Sequence, residues 1–395
     1  MSTSKHYART LRACYRAFFS QAIIVNLAPL LFIIFQERFA VTFERLGLLI
    51  LVNFVTQLIV DILCVKWADR IGHRPLIVAA HVFCTAGLIA LSVLPQVLPA
   101  PYPGLLAATV IYGIGGGLLE VMTNPIVDAI PADSRTGSMS LLHSFYCWGH
   151  VAVVVLTTSA LALLGGGLWW LIPLLWAMVP AHNTFAFLRT PLPPALPEHE
   201  KMPLKKLLGS KLFFLAFFLM ICSGAAEQAM CQWASLFAEK GLGVTKLLGD
   251  LLGPCLFALL MGAGRTLFAA MGNRLRLPRA LAGCALLCVA CYLTTALVNN
   301  PFVALIGCAV TGFSVSLMWP GMLSLGSRTF PGAGTALFSL MAVGGDIGCA
   351  IGPWVTGLVA DASQTGLKAG LLAGVVFPAL LAVGVLGLQR MRKKA

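Results

Sequence analysis

Residues Tyr112–His150 read YGIGGGLLEVMTNPIVDAIPADSRTGSMSLLHSFYCWGH, and this stretch decides the fold. Both ends are apolar and glycine-rich, and the middle, Asp128 to Thr136, is a short polar turn. The pattern is that of two membrane helices joined on one side of a bilayer, each needing about 20 apolar residues to cross it. Glu120 falls inside the first apolar run and His143 inside the second. An ionisable group in hydrocarbon is costly, so it turns toward a bundle interior or a water-filled cavity. Glu120 and Asn124 are four apart and share one helix face, as do Ser140, His143, Cys147 and His150. Two polar faces on successive helices point to the wall of a solute site. The plainer alternative is that these groups join helices by hydrogen bonds.

The rest of the chain follows the same grammar. Of 395 residues, 59% are hydrophobic and 10% charged, with a mean hydropathy of +0.90. A soluble domain carries about a quarter charged residues, so the composition is that of an all-α polytopic membrane protein. Twelve apolar runs lie near 11–36, 44–66, 75–95, 104–128, 139–164, 167–189, 211–239, 246–270, 279–298, 301–326, 333–360 and 366–389. No cleavable signal is expected, because Met1 to Arg12 is polar and basic and the run after it is long enough to span.

The net charge of +13 raises the question of nucleic acid. Its distribution answers otherwise. With the N-terminus inside, all of the 27 Lys and Arg fall on inside segments except Arg38, Arg45, Lys240, Lys246 and Lys368. The positive-inside rule then puts both termini in the cytoplasm, and the expected partners are anionic membrane lipid and a small solute, not nucleic acid. The twelve cysteines sit nearly all within apolar runs, without metal-ligand spacing. Neither disulfides, a metal nor a cofactor is expected.

Taken in order, the first run offers Gln21 and Asn26, and the second Asn53, Gln57 and Asp61 at i, i+4 and i+8. Asp61 is eight residues before Asp69, about 12 Å deeper along the helix, which suits a gate. Residues Val65 to Pro75 read VKWADRIGHRP, a tight basic turn in which Gly72 permits positive φ. The Pro-rich, charged segment 191–210 is too polar to span and reads as a linker between halves 1–190 and 211–395. The seventh run carries Glu227, Gln228, Gln232 and Trp233. The eighth carries Arg265 eight residues before Asn273-Arg274, echoing Asp61 before Asp69-Arg70. From Gly312 to Trp319 the spacing equals that from Gly113 to Glu120, and Asp346 lies among glycines in the eleventh run. These echoes at an offset of roughly 200 residues indicate two parallel repeats.

The order Asp69, Arg70, Gly72, Arg74 after the second run resembles the signature of the major facilitator superfamily. Glu120, Asn124 and Pro125, then Arg135 and Gly137, then Leu142, Phe145 and Gly149 are similar to the fucose/galactose/hexose permease branch. The resemblance implies twelve helices in two pseudo-symmetric six-helix halves and solute transport by alternating access across the cytoplasmic membrane, without enzymatic chemistry, by a monomer. It implies a sugar or similar polyol as substrate and Glu120 as the proton carrier, assisted by His143 or Glu227. The fucose-type members also use a first-helix Asp; here Asn26 is the nearest polar group, leaving a one-proton scheme. Expected substrate contacts are Gln21, Asn26, Asn53, Gln57, Glu120, Asn124, His143, Glu227, Gln228 and Gln232, with Trp233 and Trp319 as flat faces. Expected gating residues are Asp61, Asp69, Arg70, Arg74, Arg265, Arg274 and Asp346. Two alternatives stand beside this: a proton-coupled drug or metabolite exporter, against which residues 147–165 lack a proline, and a non-transporting receptor or scaffold.

Overall fold

The computed structural model describes residues 7–128, 130, 135–193, 207–271, 276–330 and 334–394. Among these, eleven helices are long and apolar enough to cross a membrane. A twelfth span forms from Ala8–Leu30 and Phe32–Phe39, bent by 42°. The bend has a local cause. Pro29 lacks an N–H and its ring crowds the carbonyl four residues back, and the chain answers with a tighter bond from the Leu31 N–H to the Ala28 carbonyl, 2.9 Å.

The spans that follow are Phe43–Ile71, His73–Val97, Pro101–Asp128, Arg135–Leu164 and Leu171–Arg189. Then come Lys211–Gly241, Lys246–Phe268, Leu277–Leu297, Pro301–Gly326, Gly334–Ala362 and Leu367–Leu388. They coincide with the twelve apolar runs. Gly72, between the second and third, has φ +90°, the conformation expected of it. The tenth span starts at an Asn-Pro pair: Asn300 Oδ1 accepts from the N–H groups of Phe302 and Val303, and Pro301 needs no partner at the first helical position.

The chain divides into two compact units, Met1–Leu196 and Pro197–Ala395. In the first, the main packing pairs are the first span with the fourth, fifth and sixth, the second with the fourth, and the third with the fourth and sixth. In the second unit they are the seventh with the tenth, eleventh and twelfth, the eighth with the tenth, the ninth with the tenth and twelfth, and the eleventh with the twelfth. Adding six to each number of the first set yields the second, apart from the eleventh with the twelfth. The repeat suggested by sparse sequence echoes is therefore a repeat of helix-packing partners. Small residues make these approaches possible, since lipid gives helices no hydrophobic reason to associate. At Gly348 of the eleventh span an added Cβ would overlap the Ile221 carbonyl oxygen of the seventh.

Candidate functional site

In the N-terminal unit the polar residues of the first and second spans form one chain of amides. Gln21 Nε2 donates to Gln57 Oε1 at 2.8 Å, and Gln57 Nε2 donates to Asn53 Oδ1 at 3.1 Å. All three side chains are buried. Their order runs N–H to O throughout, so each bond polarises the next. The fourth span comes close enough to wall this chain because residue 116 is glycine: an added Cβ there would lie 2.9 Å from Gln57 Oε1 and 3.3 Å from Gln21 Oε1. Gly116, Glu120 and Asn124 are spaced at four residues and share one face. Gln21 Oε1 thus sits one helical turn from Glu120. Both Gln21 Oε1 and Asn124 Oδ1 are buried with no hydrogen-bond donor among the described residues.

Glu120 is half-buried. Asn124, on the same face, turns to the backbone: its Nδ2 donates to the Glu120 backbone carbonyl at 3.1 Å, the i to i−4 bond open to a short amide on a helix. Asn26 turns toward the fifth span and donates to the Tyr146 hydroxyl at 3.2 Å. The His143 ring meets Phe18 edge-on at 5.0 Å, while Tyr15 and Phe145 stack at 4.6 Å. His143 is thereby held against the first span, three residues along from the Gln21 side of that helix. Asp61 is buried at the end of the second-span stripe nearest the turn at Gly72.

The C-terminal unit carries charge where the N-terminal unit carries amides. Gln232 Nε2 donates to Gln228 Oε1 at 2.8 Å, and Gln228 Nε2 reaches Glu227 Oε1 at 3.4 Å. Arg265 Nη2 lies 3.7 Å from Glu227 Oε2. Arg265, expected as a gating residue, lies within the eighth span as the charge partner of Glu227. The antiparallel seventh and eighth spans make this meeting of residues 38 positions apart.

Three further site residues take definite places. Trp233 is fully buried and its indole Nε1 donates to the Pro353 carbonyl at 2.9 Å, so it joins the seventh span to the eleventh and offers no open face. Arg74, expected as a gating residue, is held at a helix end. Its guanidinium donates to the carbonyls of Phe187, Leu188 and Thr190 at 2.8–2.9 Å, closing the end of the sixth helix where carbonyls lack partners. Asp346 is buried about 18 Å from the start of its helix, by rise per residue, among the glycines of the eleventh span. Its neighbour Gly345 is covered by the ring of Trp319, which remains half-buried. The side chains of Asp69 and Arg70, Arg274, and linker residues 194–206 lie outside the described residues.

Two polar clusters escaped the sequence reading. Asp250 accepts from the Ser235 hydroxyl and pairs with Lys246 at 3.0 Å. π-helical turns flank it at Phe237–Gly241 and Leu251–Cys255, the latter carrying Pro254. The signal was present, since Lys246 and Asp250 are four apart at the head of an apolar run. In the other cluster His81 Nδ1 is 2.7 Å from the Ile77 carbonyl, so it bears the proton, and Nε2 accepts from Asn183 Nδ2 at 2.8 Å. Asn183 also donates to the Ala13 carbonyl at 2.9 Å, joining the first, third and sixth spans.

Two repeats of six membrane-crossing helices, each with buried polar groups inside its apolar spans, are the architecture of a secondary transporter. The chain belongs to the Major Facilitator Superfamily, whose family model matches residues 16–353. It is a multi-pass membrane transporter and not an enzyme. No curated protein sequence matches it. Among solved structures it is similar to a bacterial homologue of the human lysosomal transporter Spinster, inward-facing and occupied: TM-score 0.76, 16% identity, 99% of this chain and 98% of that one. It is also similar to the E. coli fucose:proton symporter (TM-score 0.68, 18% identity, 97% and 99% covered). A D-xylose–proton symporter matches with TM-score 0.76 at 14% identity, covering 96% of each chain. At these identities the likeness is one of fold.

Proposed function

We propose that this transporter carries a small polyhydroxylated solute, a sugar, across the cytoplasmic membrane by proton symport, working as a monomer in lipid with both termini inside. The observation that carries this reading is the line Gln21 Oε1, Glu120 and Asn124. It sets two buried acceptors without a described donor on either side of a carboxyl inside an apolar span. Hydroxyl groups satisfy such acceptors, because each brings a donor. Protonation of Glu120 removes a charge from the low-dielectric interior, so a loaded, protonated carrier closes at lower cost than an ionised one. Halves 1–190 and 211–395 give alternating access to a midplane solute site in this scheme, with Asp61, Asp69, Arg70 and Arg274 acting as gating residues. The fucose and xylose symporters among the similar folds lend the substrate class support.

The test is uptake into proteoliposomes with and without a pH gradient. Glu120→Gln holds the site in the form of a protonated acid. It is expected to keep solute exchange at equilibrium and to abolish pH-driven accumulation. Accumulation equal to wild type in Glu120→Gln would remove this carboxyl from coupling.

A further inference from the structure

The sixth span carries an exposed apolar stripe. Leu175, Met178 and Phe185 are 57%, 66% and 63% exposed and share one helix face. On a membrane-crossing helix such a face meets lipid tails, which are as apolar as the side chains themselves. His182 falls on the same stripe, four residues after Met178 and three before Phe185, and is exposed as well. Ionisable groups inside spans almost always turn inward, so an imidazole on this face calls for a partner. Arg16 of the first span supplies one: its Nη1 donates to His182 Nε2 at 2.8 Å. A guanidinium has no lone pair to offer, so Nε2 is the acceptor and the ring proton is on Nδ1.

What remains at this corner is donors. Arg12 lies one turn before Arg16, and the Nε of each donates to the backbone carbonyl four residues back at 3.3 Å. That leaves both Nη groups of Arg12, Nη2 of Arg16 and the Nδ1–H of His182. Among the described residues, no carboxylate pairs with Arg12, Arg16 or His182. Arg74, in the same unit, is satisfied by three carbonyls, and these two arginines are not. By helical rise Arg16 lies about 12 Å from the start of the first helix at Ala8, and His182 about 10 Å from the end of the sixth at Arg189. Two like charges at that depth, beside an apolar stripe, are offset at least cost by an anion. A guanidinium fork matches the oxygens of a phosphate.

We propose that Arg12, Arg16 and His182 bind the phosphate of an anionic phospholipid whose acyl chains lie along Leu175, Met178 and Phe185. The basic balance of the chain makes anionic lipid a general expectation; these residues give one lipid molecule a defined place. A soluble phosphate shares the headgroup chemistry but lacks the tails that the exposed stripe accepts. The site uses none of the residues of the solute reading above and stands whatever the solute is.

The experiment is native mass spectrometry of the purified, delipidated full chain. It is titrated with phosphatidylglycerol or with phosphatidylcholine of the same acyl chains, whose choline cation offsets its phosphate. Wild type is expected to hold the first phosphatidylglycerol at least about tenfold more tightly, the size set by charged hydrogen bonds to one phosphate. Arg16→Gln and His182→Leu, made separately, are each expected to lose most of that preference. Leucine suits an exposed position on an apolar stripe, so the result does not hang on the Arg16 variant folding. Arg279→Gln, at an exposed basic residue of the C-terminal unit, is expected to keep the preference. Loss in either N-terminal variant, with the preference kept in Arg279→Gln, supports the site. Equal retention of both lipids by wild type overturns it, as does full preference in both N-terminal variants or an equal loss in Arg279→Gln. Displacement of phosphatidylglycerol by inorganic phosphate at equal concentration makes this a soluble-anion site and overturns the lipid assignment.

Discussion

The two repeats share their packing partners but not their polar chemistry. In the N-terminal unit Gln21, Gln57 and Asn53 form a neutral chain across the first and second spans. In the C-terminal unit the corresponding region, the seventh and eighth spans, carries Glu227 with Arg265 and Asp250 with Lys246. Duplicated architecture therefore constrains where helices touch and leaves free what the touching faces say. The packing constraint is steric, set by small residues at fixed joints. The polar groups are constrained only by the need for each buried donor or acceptor to find a partner, and neutral amides and ion pairs both meet it.

The contrast yields a ranking of effects, read by thermal unfolding in detergent. Asp250→Ala is expected to be the most damaging, at about 3 kcal/mol, because it strands Lys246 and Ser235 without their acceptor. Lys246→Met/Asp250→Leu, removing both charges, should recover most of that loss; if it is as unstable as the single variant, the pair is not what holds these spans. Gln57→Leu should come next, at about 2 kcal/mol, since two amide bonds of about 1 kcal/mol each disappear from the neutral chain. A cost equal to that of Asp250→Ala would erase the distinction between the two units. Arg74→Gln is the mildest, about 1 kcal/mol, because a helix-end contact near the membrane surface is partly replaced by water. Its signature should be local: faster hydrogen exchange at the end of the sixth helix, residues 186–190, with the amide chain unaffected. Equal exchange there in both proteins would show that the three carbonyl contacts do not matter in solution.

Much of this was legible beforehand, for identifiable reasons. The twelve spans follow from bilayer thickness, which forces apolar runs of a minimum length whatever the tertiary fold. The shared faces of Asn53 with Gln57 and of Gln228 with Gln232 follow from the helical period, and both pairs do bond along their helix. Gly72 had to permit positive φ in so short a turn, and it does. Trp233 misled because its place in the seventh span suggested an open aromatic face, while the nearest acceptor for its indole was the Pro353 carbonyl, 120 residues away.

The sequence by itself determined the class: a membrane-embedded bundle, two repeats, and polar residues inside apolar spans that demand an interior explanation. These are properties of single helices, and 3.6 residues per turn and the cost of polar groups in lipid suffice to read them. Only the tertiary structure decided who meets whom. Arg265 reaches Glu227, 38 positions away in the chain. Asn124 turns to a backbone carbonyl and not to the carboxyl beside it. Arg74 closes the sixth helix. The reason is that a buried hydrogen-bonding group takes whichever partner neighbouring helices bring within about 3 Å, and that proximity is set by small-residue joints and wide turns far away in the chain.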